Sequence, residues 1–176
     1  MPADHSFHLL DQRIHALVTY FQRVQQERMQ DVPLLNHALK VEAVQLVCEA
    51  SALNENSIAE GVLITPWFMS LLRLPLYKQM HDERVGHGFV REFGLASFDF
   101  LGAYDKDVGY FETCALFSPM FDFETQDQAR DTAQAALQEI REGSPEQVLG
   151  ASTKPSPQVT SRRGFLMRVG RVGGAP

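Results

Sequence analysis

Six histidines, two cysteines and 22 carboxylates are the groups in this chain that could do acid–base, nucleophilic or metal chemistry. Their spacing decides what is open to them. The histidines, His5, His8, His15, His37, His81 and His87, are scattered, and no cysteine stands in a CxxC pair. The nearest approach to a ligand cluster is His81-Asp82-Glu83 with His87, but on a helix His81 and His87 would not share a face, which argues against a metal site. His8 and His15 lie seven apart on an expected helix and read as solvated flank positions. No Gly-x-Ser-x-Gly elbow, Walker loop or HExxH occurs, and Gly86-His-Gly88 lacks the third glycine and following helix of a phosphate loop. Cys48 and Cys114 sit in strand-like runs as buried thiols of a reducing compartment. The carboxylates are single rather than paired. This inventory contains no catalytic set, and no metal or cofactor is expected.

Recognition chemistry is better represented. Gly61-Val-Leu-Ile-Thr-Pro-Trp-Phe-Met-Ser-Leu-Leu-Arg-Leu-Pro75 holds the only tryptophan, two prolines and nine large apolar side chains. Val62, Leu63 and Ile64 read as a buried strand. Pro66 removes a backbone donor and pushes Thr65 into an extended conformation, so the strand ends there. Trp67, Phe68 and Met69 are then delivered to a sheet edge or loop, where aromatics and methionine make binding hot spots. Trp67 as a plain core plug is the competing reading.

A second stretch, Ser161-Arg-Arg-Gly-Phe-Leu-Met167, is similar to the Ser-Arg-Arg-x-Phe-Leu-Lys consensus of a twin-arginine export signal. Such a signal is N-terminal and precedes an apolar core. Here no apolar core follows, so it is expected to be either an edge strand with solvated Arg162 and Arg163, or a mimic that lies in an acidic groove.

The elements that must position these residues follow from periodicity. Phe7, Leu10, Ile14, Leu17, Phe21 and Val24 predict an amphipathic helix over 7–28, capped by Asp4 or Ser6. Strands are expected at Val41–Cys48 and Glu60–Thr65, with Tyr77–Glu83 helical or irregular. A hairpin is expected from Leu95–Ala103 and Val108–Ser118, with Phe111, Thr113, Ala115 and Phe117 on one face and Asp99 and Glu112 outward in solvent. Thr125 and Gln128 form a capping box opening a helix over 126–141, whose stripe is Ala129, Ala133, Ala136, Leu137 and Ile140. From Ser144 the composition turns to that of a linker, with a possible strand at 163–169. The expected architecture is α+β: an antiparallel sheet of about five strands packed by the two helices, in one domain over 1–150, with a linker and basic tail at 151–176.

The composition, 44% hydrophobic and 22% charged, is that of an ordinary globular chain. No apolar run reaches the roughly 18–20 residues of a membrane span, and the N-terminus lacks the features of a secretory signal, so a cytoplasmic location is expected. Residues 154–176 carry five cations and no acid, whereas residues 1–153 hold 11 basic and 22 acidic residues, a formal charge of -11. An acidic body disfavours nucleic acid and favours a basic peptide partner.

In the order Ile64-Thr-Pro-Trp-Phe-Met69, the Leu-Phe-Ser-Pro segment at 116–119, the ensuing helix and an Arg-Arg segment near the C-terminus, the chain resembles the HybE-type assembly chaperones of [NiFe]-hydrogenases (the HupJ/HoxT group). The resemblance spans roughly residues 10–170. It implies a cytoplasmic, non-enzymatic accessory protein that binds hydrogenase precursor subunits. The main partner it implies is the small subunit with its twin-arginine signal peptide, and the large subunit is a further candidate. Export would be delayed until assembly is complete. The partner-binding residues expected are Thr65, Pro66, Trp67, Phe68 and Met69, with Arg162 and Arg163 in the tail. Some relatives carry a fused rubredoxin unit, but this chain has no CxxC pair to hold its iron. An oligomerising accessory protein, or a small redox or metal carrier in which Cys48 and Cys114 converge with histidines, are the other functions open.

Overall fold

The computed structural model describes residues 2–48 and 53–142. The elements run α1 (Pro2–Arg28), β1 (Glu42–Val47), β2 (Ile58–Ile64), β3 (Met69–Pro75), β4 (Gly88–Phe93), β5 (Ala96–Asp105), β6 (Gly109–Phe117) and α2 (Gln126–Glu142). The strands form one antiparallel sheet in the order β1-β2-β3-β6-β5-β4. The fold is therefore α+β, with six strands rather than about five. Four of the five expected strands fall at β1, β2, β5 and β6, and the fifth, 163–169, lies outside the described residues. The additions are β3 and β4. Pro66 does end a strand, but the chain reverses within a few residues and returns as β3, next to the sheet's centre.

Period-two alternation sorts the side chains to two faces, each with its own core. On one, Leu17 and Phe21 of α1 pack with Leu46, Leu63, Leu72, Leu74 and Phe111, joined at the margin by Leu10 and Ile14. On the other, Ala129, Ala133, Ala136, Leu137 and Ile140 of α2 pack with Val62, Ile64, Met69, Leu71, Phe93 and Phe100. Burying each Leu or Phe of this kind contributes roughly 1.5–3 kcal/mol. The small residues of α2 let it approach the sheet closely. α1 begins at Pro2, upstream of the expected Asp4 or Ser6 cap. Its buried Arg13 donates from Nε to the Pro75 carbonyl (3.0 Å) and from Nη1 to that of Val108 (2.6 Å), tying the helix to two strand ends.

Half of the expected capping box of α2 forms: the Gln128 N–H donates to Thr125 Oγ1 at 3.2 Å. Gln128 Oε1 reaches one residue further back, accepting from the Glu124 N–H at 2.8 Å. At its other end α2 meets the β4–β5 turn, where the Leu95 N–H donates to the Ile140 carbonyl at 2.8 Å. Gly94 has φ +60°, and a Cβ there would collide with that same carbonyl, so glycine is required on both counts.

Two expectations about β6 are corrected. The pairing Met69↔Phe117 followed by Ser70↔Ala115 leaves one extra residue on β6. That bulge reverses the alternation, so Phe117 packs with Phe123 on the α2 side and not with Phe111. Glu112 is not outward in solvent: it is 5% exposed. Arg73, Arg91 and the Tyr110 hydroxyl cover it on that face.

Candidate functional site

The turn between β2 and β3 is built around one hydroxyl. Thr65 Oγ1 donates to the Phe68 carbonyl (2.9 Å) and accepts from the N–H groups of Trp67 (3.3 Å) and Phe68 (2.9 Å). The Thr65 N–H donates to the same Phe68 carbonyl at 2.8 Å. Threonine closes this turn because its short side chain competes for nearby backbone groups. Two outside segments brace it. The Asn36 N–H donates to the Pro66 carbonyl at 2.8 Å, while Asn36 Nδ2 donates to the carbonyls of Met120 (2.9 Å) and Phe123 (2.6 Å). Ser118 Oγ donates to the Trp67 carbonyl at 3.4 Å.

This braced turn holds Trp67 and Phe68 half-buried at the α1 side of the sheet. Their rings meet edge to face at 5.7 Å, and Phe21 of α1 lies 6.4 Å from Trp67 and 5.7 Å from Phe68. Phe111 and Tyr20 extend the cluster behind Phe21. Trp67 is thus neither a sealed core plug nor a free side chain. Met69 differs from the expectation for the segment. It is 0% exposed in the α2-side core, because the strand has resumed there and Met69 pairs with Ile64, which faces the same core. Thr65 and Pro66 are also buried. The surface of the motif is Trp67 and Phe68, and the other three residues hold it. Arg162 and Arg163 lie outside the described residues.

Two further exposed apolar residues lie on the segments that brace this turn. Leu34 is 45% exposed and Phe121 55% exposed, on the two segments that Asn36 ties together. Asp31, Asp122 and Glu124 are exposed on the same segments. Nothing local in the sequence indicates that Asn36 brings the segment of Phe121 to the turn.

A different assembly occupies the α2 side, beyond the end of the helix. The Glu112 carboxylate accepts from Arg91 Nε (3.0 Å) and Nη2 (2.8 Å), from Arg73 Nη1 (3.2 Å) and from the Tyr110 hydroxyl (2.9 Å). Arg73 Nε in turn donates to Glu60 at 2.8 Å. Gly102, opposite Glu112 on the intervening strand, leaves room for the Tyr110 hydroxyl and the Arg84 carbonyl. Burial pushes the Glu112 carboxyl up, but the hydrogen bonds from Arg91 and Tyr110 and the two guanidinium charges outweigh it and hold the group below its usual range. Tyr110 is pushed up to about 12, first by burial and then by its bond to the Glu112 charge. Four donors saturate this carboxylate, which leaves no lone pair to take a proton from a substrate. A cleft of about 170 Å³ opens at it, lined by Arg73, Arg84, Arg91, Tyr110 and Glu112 itself among others.

Among the described residues no group of three or more His, Cys, Asp or Glu is placed to hold a metal ion. Cys114 packs in the α2-side core and Cys48 against the α1-side core, so the two thiols do not converge. No helix of the described chain is long and apolar enough to cross a membrane.

Against known proteins, the family described as "[NiFe]-hydrogenase assembly, chaperone, HybE" matches residues 12–168. Protein HoxT of Cupriavidus necator is 38% identical over 168 residues, covering 92% of each chain. The hydrogenase expression/formation protein HupJ of Bradyrhizobium diazoefficiens is 32% identical over 146 residues, covering 83% of this chain and 82% of its own. The solution structure of HybE from Escherichia coli superposes with a TM-score of 0.52 over 83% of this chain and 88% of that one, at 17% identity, a likeness of fold alone.

Proposed function

The chain belongs to the [NiFe]-hydrogenase assembly chaperone family HybE, whose members are not enzymes, and from that premise we propose that it acts in the cytoplasm by holding a hydrogenase small-subunit precursor. The Trp67–Phe68 turn contacts apolar surface of the precursor. The carboxylates of Asp31, Asp122 and Glu124 meet the paired arginines of its twin-arginine signal peptide, which keeps that signal from the export machinery until assembly is complete.

The observation that carries this reading is a braced turn that keeps two large aromatics only half-buried, with Leu34 and Phe121 exposed on the bracing segments. Leaving that much apolar surface in water costs stability unless a partner covers it. Preorganisation by Thr65 and Asn36 lowers the entropy lost on binding. The acidic body speeds capture of a basic segment.

Titrating the chaperone with a small-subunit precursor, with and without its signal peptide, tests both halves. Tighter binding of the signal-bearing form is expected, and equal affinity would sink the signal-peptide half. Loss of binding by Trp67→Ala while the domain stays folded supports the turn as the contact. Unfolding by that substitution alone would return Trp67 to the core. The large subunit, run in parallel, shows whether it is a second client.

A further inference from the structure

The far edge of the sheet is unfinished. Among the described residues β4 has only β5 as a strand neighbour. Half of its backbone N–H and C=O groups therefore point away from the sheet, a template for any extended segment. On the side turned away from α2 this corner is also uncovered, with Val90 67% and Leu101 51% exposed. Leu101 lies opposite Gly88, which has no side chain to shield it, and Val90 lies opposite Asp99. Glu92 is exposed on the same face of β4. Arg91 on the other face is paired with Glu112, so a segment suited to this edge is apolar and carries a cation opposite Glu92, with side chains alternating between the two faces.

The chain carries such a segment, and it leaves the described fold at this place. α2 ends at Glu142, and its Ile140 carbonyl is bonded to Leu95 in the turn that follows β4. Twenty residues, 143–162, then precede Arg163-Gly-Phe-Leu-Met-Arg-Val169. At roughly 3.3 Å per residue they span far more than the ~20 Å of a six-residue strand. The residues from 154 onward carry five cations and no acid.

We propose that residues 163–169 add to the free edge of β4 as a seventh strand, antiparallel to it, with Arg163 opposite Glu92 and Phe165 opposite Val90. A strand entering from the Phe93 end of β4 runs antiparallel without crossing the sheet. In this register Met167 falls opposite Gly88, where it reaches Leu101 across the missing side chain. Leu166 falls opposite Phe89 on the other face. The added strand covers the apolar corner and removes an edge that would otherwise pair with other chains. The likeness of Ser161–Met167 to an export signal then has a local cause. An apolar segment with an arginine opposite Glu92 is what this edge selects.

Amide hydrogen exchange on the full-length chain tests the assignment. The Val90 and Glu92 amides are expected to be protected in the native chain, and Phe165→Asp should speed their exchange on the order of tenfold, the worth of an edge hydrogen bond. The amides of Leu71 and Leu72 on central β3 should not change, which separates undocking from unfolding. Glu92→Arg should release the same amides, and adding Arg163→Glu should restore their protection, which checks the register. Equal exchange at Val90 and Glu92 with and without Phe165→Asp overturns the proposal. So does protection that rises with protein concentration, since a second copy would then occupy the edge.

Discussion

The Glu112 assembly and the Trp67 turn lie in the same sheet, yet they treat their chemical groups in opposite ways. Around Glu112 each oxygen of a buried carboxylate receives two donors, and the aromatic hydroxyl beside it is consumed in the same network. At the turn the polar groups are equally well used, but by backbone and by Thr65 and Asn36, so that two aromatic rings are held half-buried at the surface. The first region is complete without a partner. The second is held rigid in an incomplete state. Strongly shifted acids in a cleft point to function only when some capacity remains free. The saturated network therefore reads as structure, and the aromatic turn as recognition.

Four measurements would break or sharpen this contrast. The largest effect is expected from Glu112→Ala, which removes the buried carboxylate, takes the Glu112 partner from Arg91 and leaves Arg73 with Glu60 alone. A loss of about 3–5 kcal/mol in urea unfolding is expected, as for other buried ion pairs cut on one side. A loss below about 1 kcal/mol, the range of surface pairs, would mean the network is wetter than its burial implies. Next is Trp67→Ala, expected to weaken precursor binding by about 2 kcal/mol, the threshold of a hot spot. Its stability cost should be the smaller of the two effects, and calorimetric titration beside thermal unfolding separates them.

The third measurement is pH. Glu112 has its folded value lowered, so its stabilisation is present above its ordinary value of 4.5 and is lost as pH falls below it. Tyr110 has its value raised from 10.0 to about 12, so the folded state holds its proton more tightly. Its stabilisation is full below pH 10 and is lost as pH rises from 10 towards 12. Tyr110→Phe should abolish the alkaline arm of the stability curve and flatten the acid arm only in part, since Arg91 and Arg73 still hold Glu112 low. An unchanged alkaline arm would mean that Tyr110 is not the group that titrates there. The smallest effect is expected from Asp107→Ala. It removes an exposed pair with Arg23 at 2.8 Å and should leave both unfolding and precursor binding unchanged within error.

How much of this was legible in the sequence depended on whether the cause was local. The two helices, the Thr125–Gln128 cap and strands β1, β2, β5 and β6 follow from spacing and capping chemistry within a few residues. Strand β3 did not, because Pro66 and Pro75 frame an apolar run that reads as a loop-borne cluster. The break at Pro66 was real, but Thr65 turned the chain back at once. Phe117 was placed on the wrong face by a bulge that only the pairing with Met69 and Ser70 reveals. Glu112 was placed in solvent because alternation says which residues share a face and not whether that face is covered.

For the site, the sequence by itself determined that no catalytic set exists, that the body is acidic, and that a proline-framed aromatic segment follows a buried strand. These depend on composition and on contacts between near neighbours. The tertiary structure decided which members of that segment reach solvent. Trp67 and Phe68 do, and Met69 does not, because the strand resumes at Met69, which pairs with Ile64 and faces the same core. It also brought the segments of Leu34 and Phe121 to the same turn through Asn36, which links residues more than 80 positions apart. A hydrogen bond across that separation leaves no local signature, since it depends on where the sheet has placed both ends.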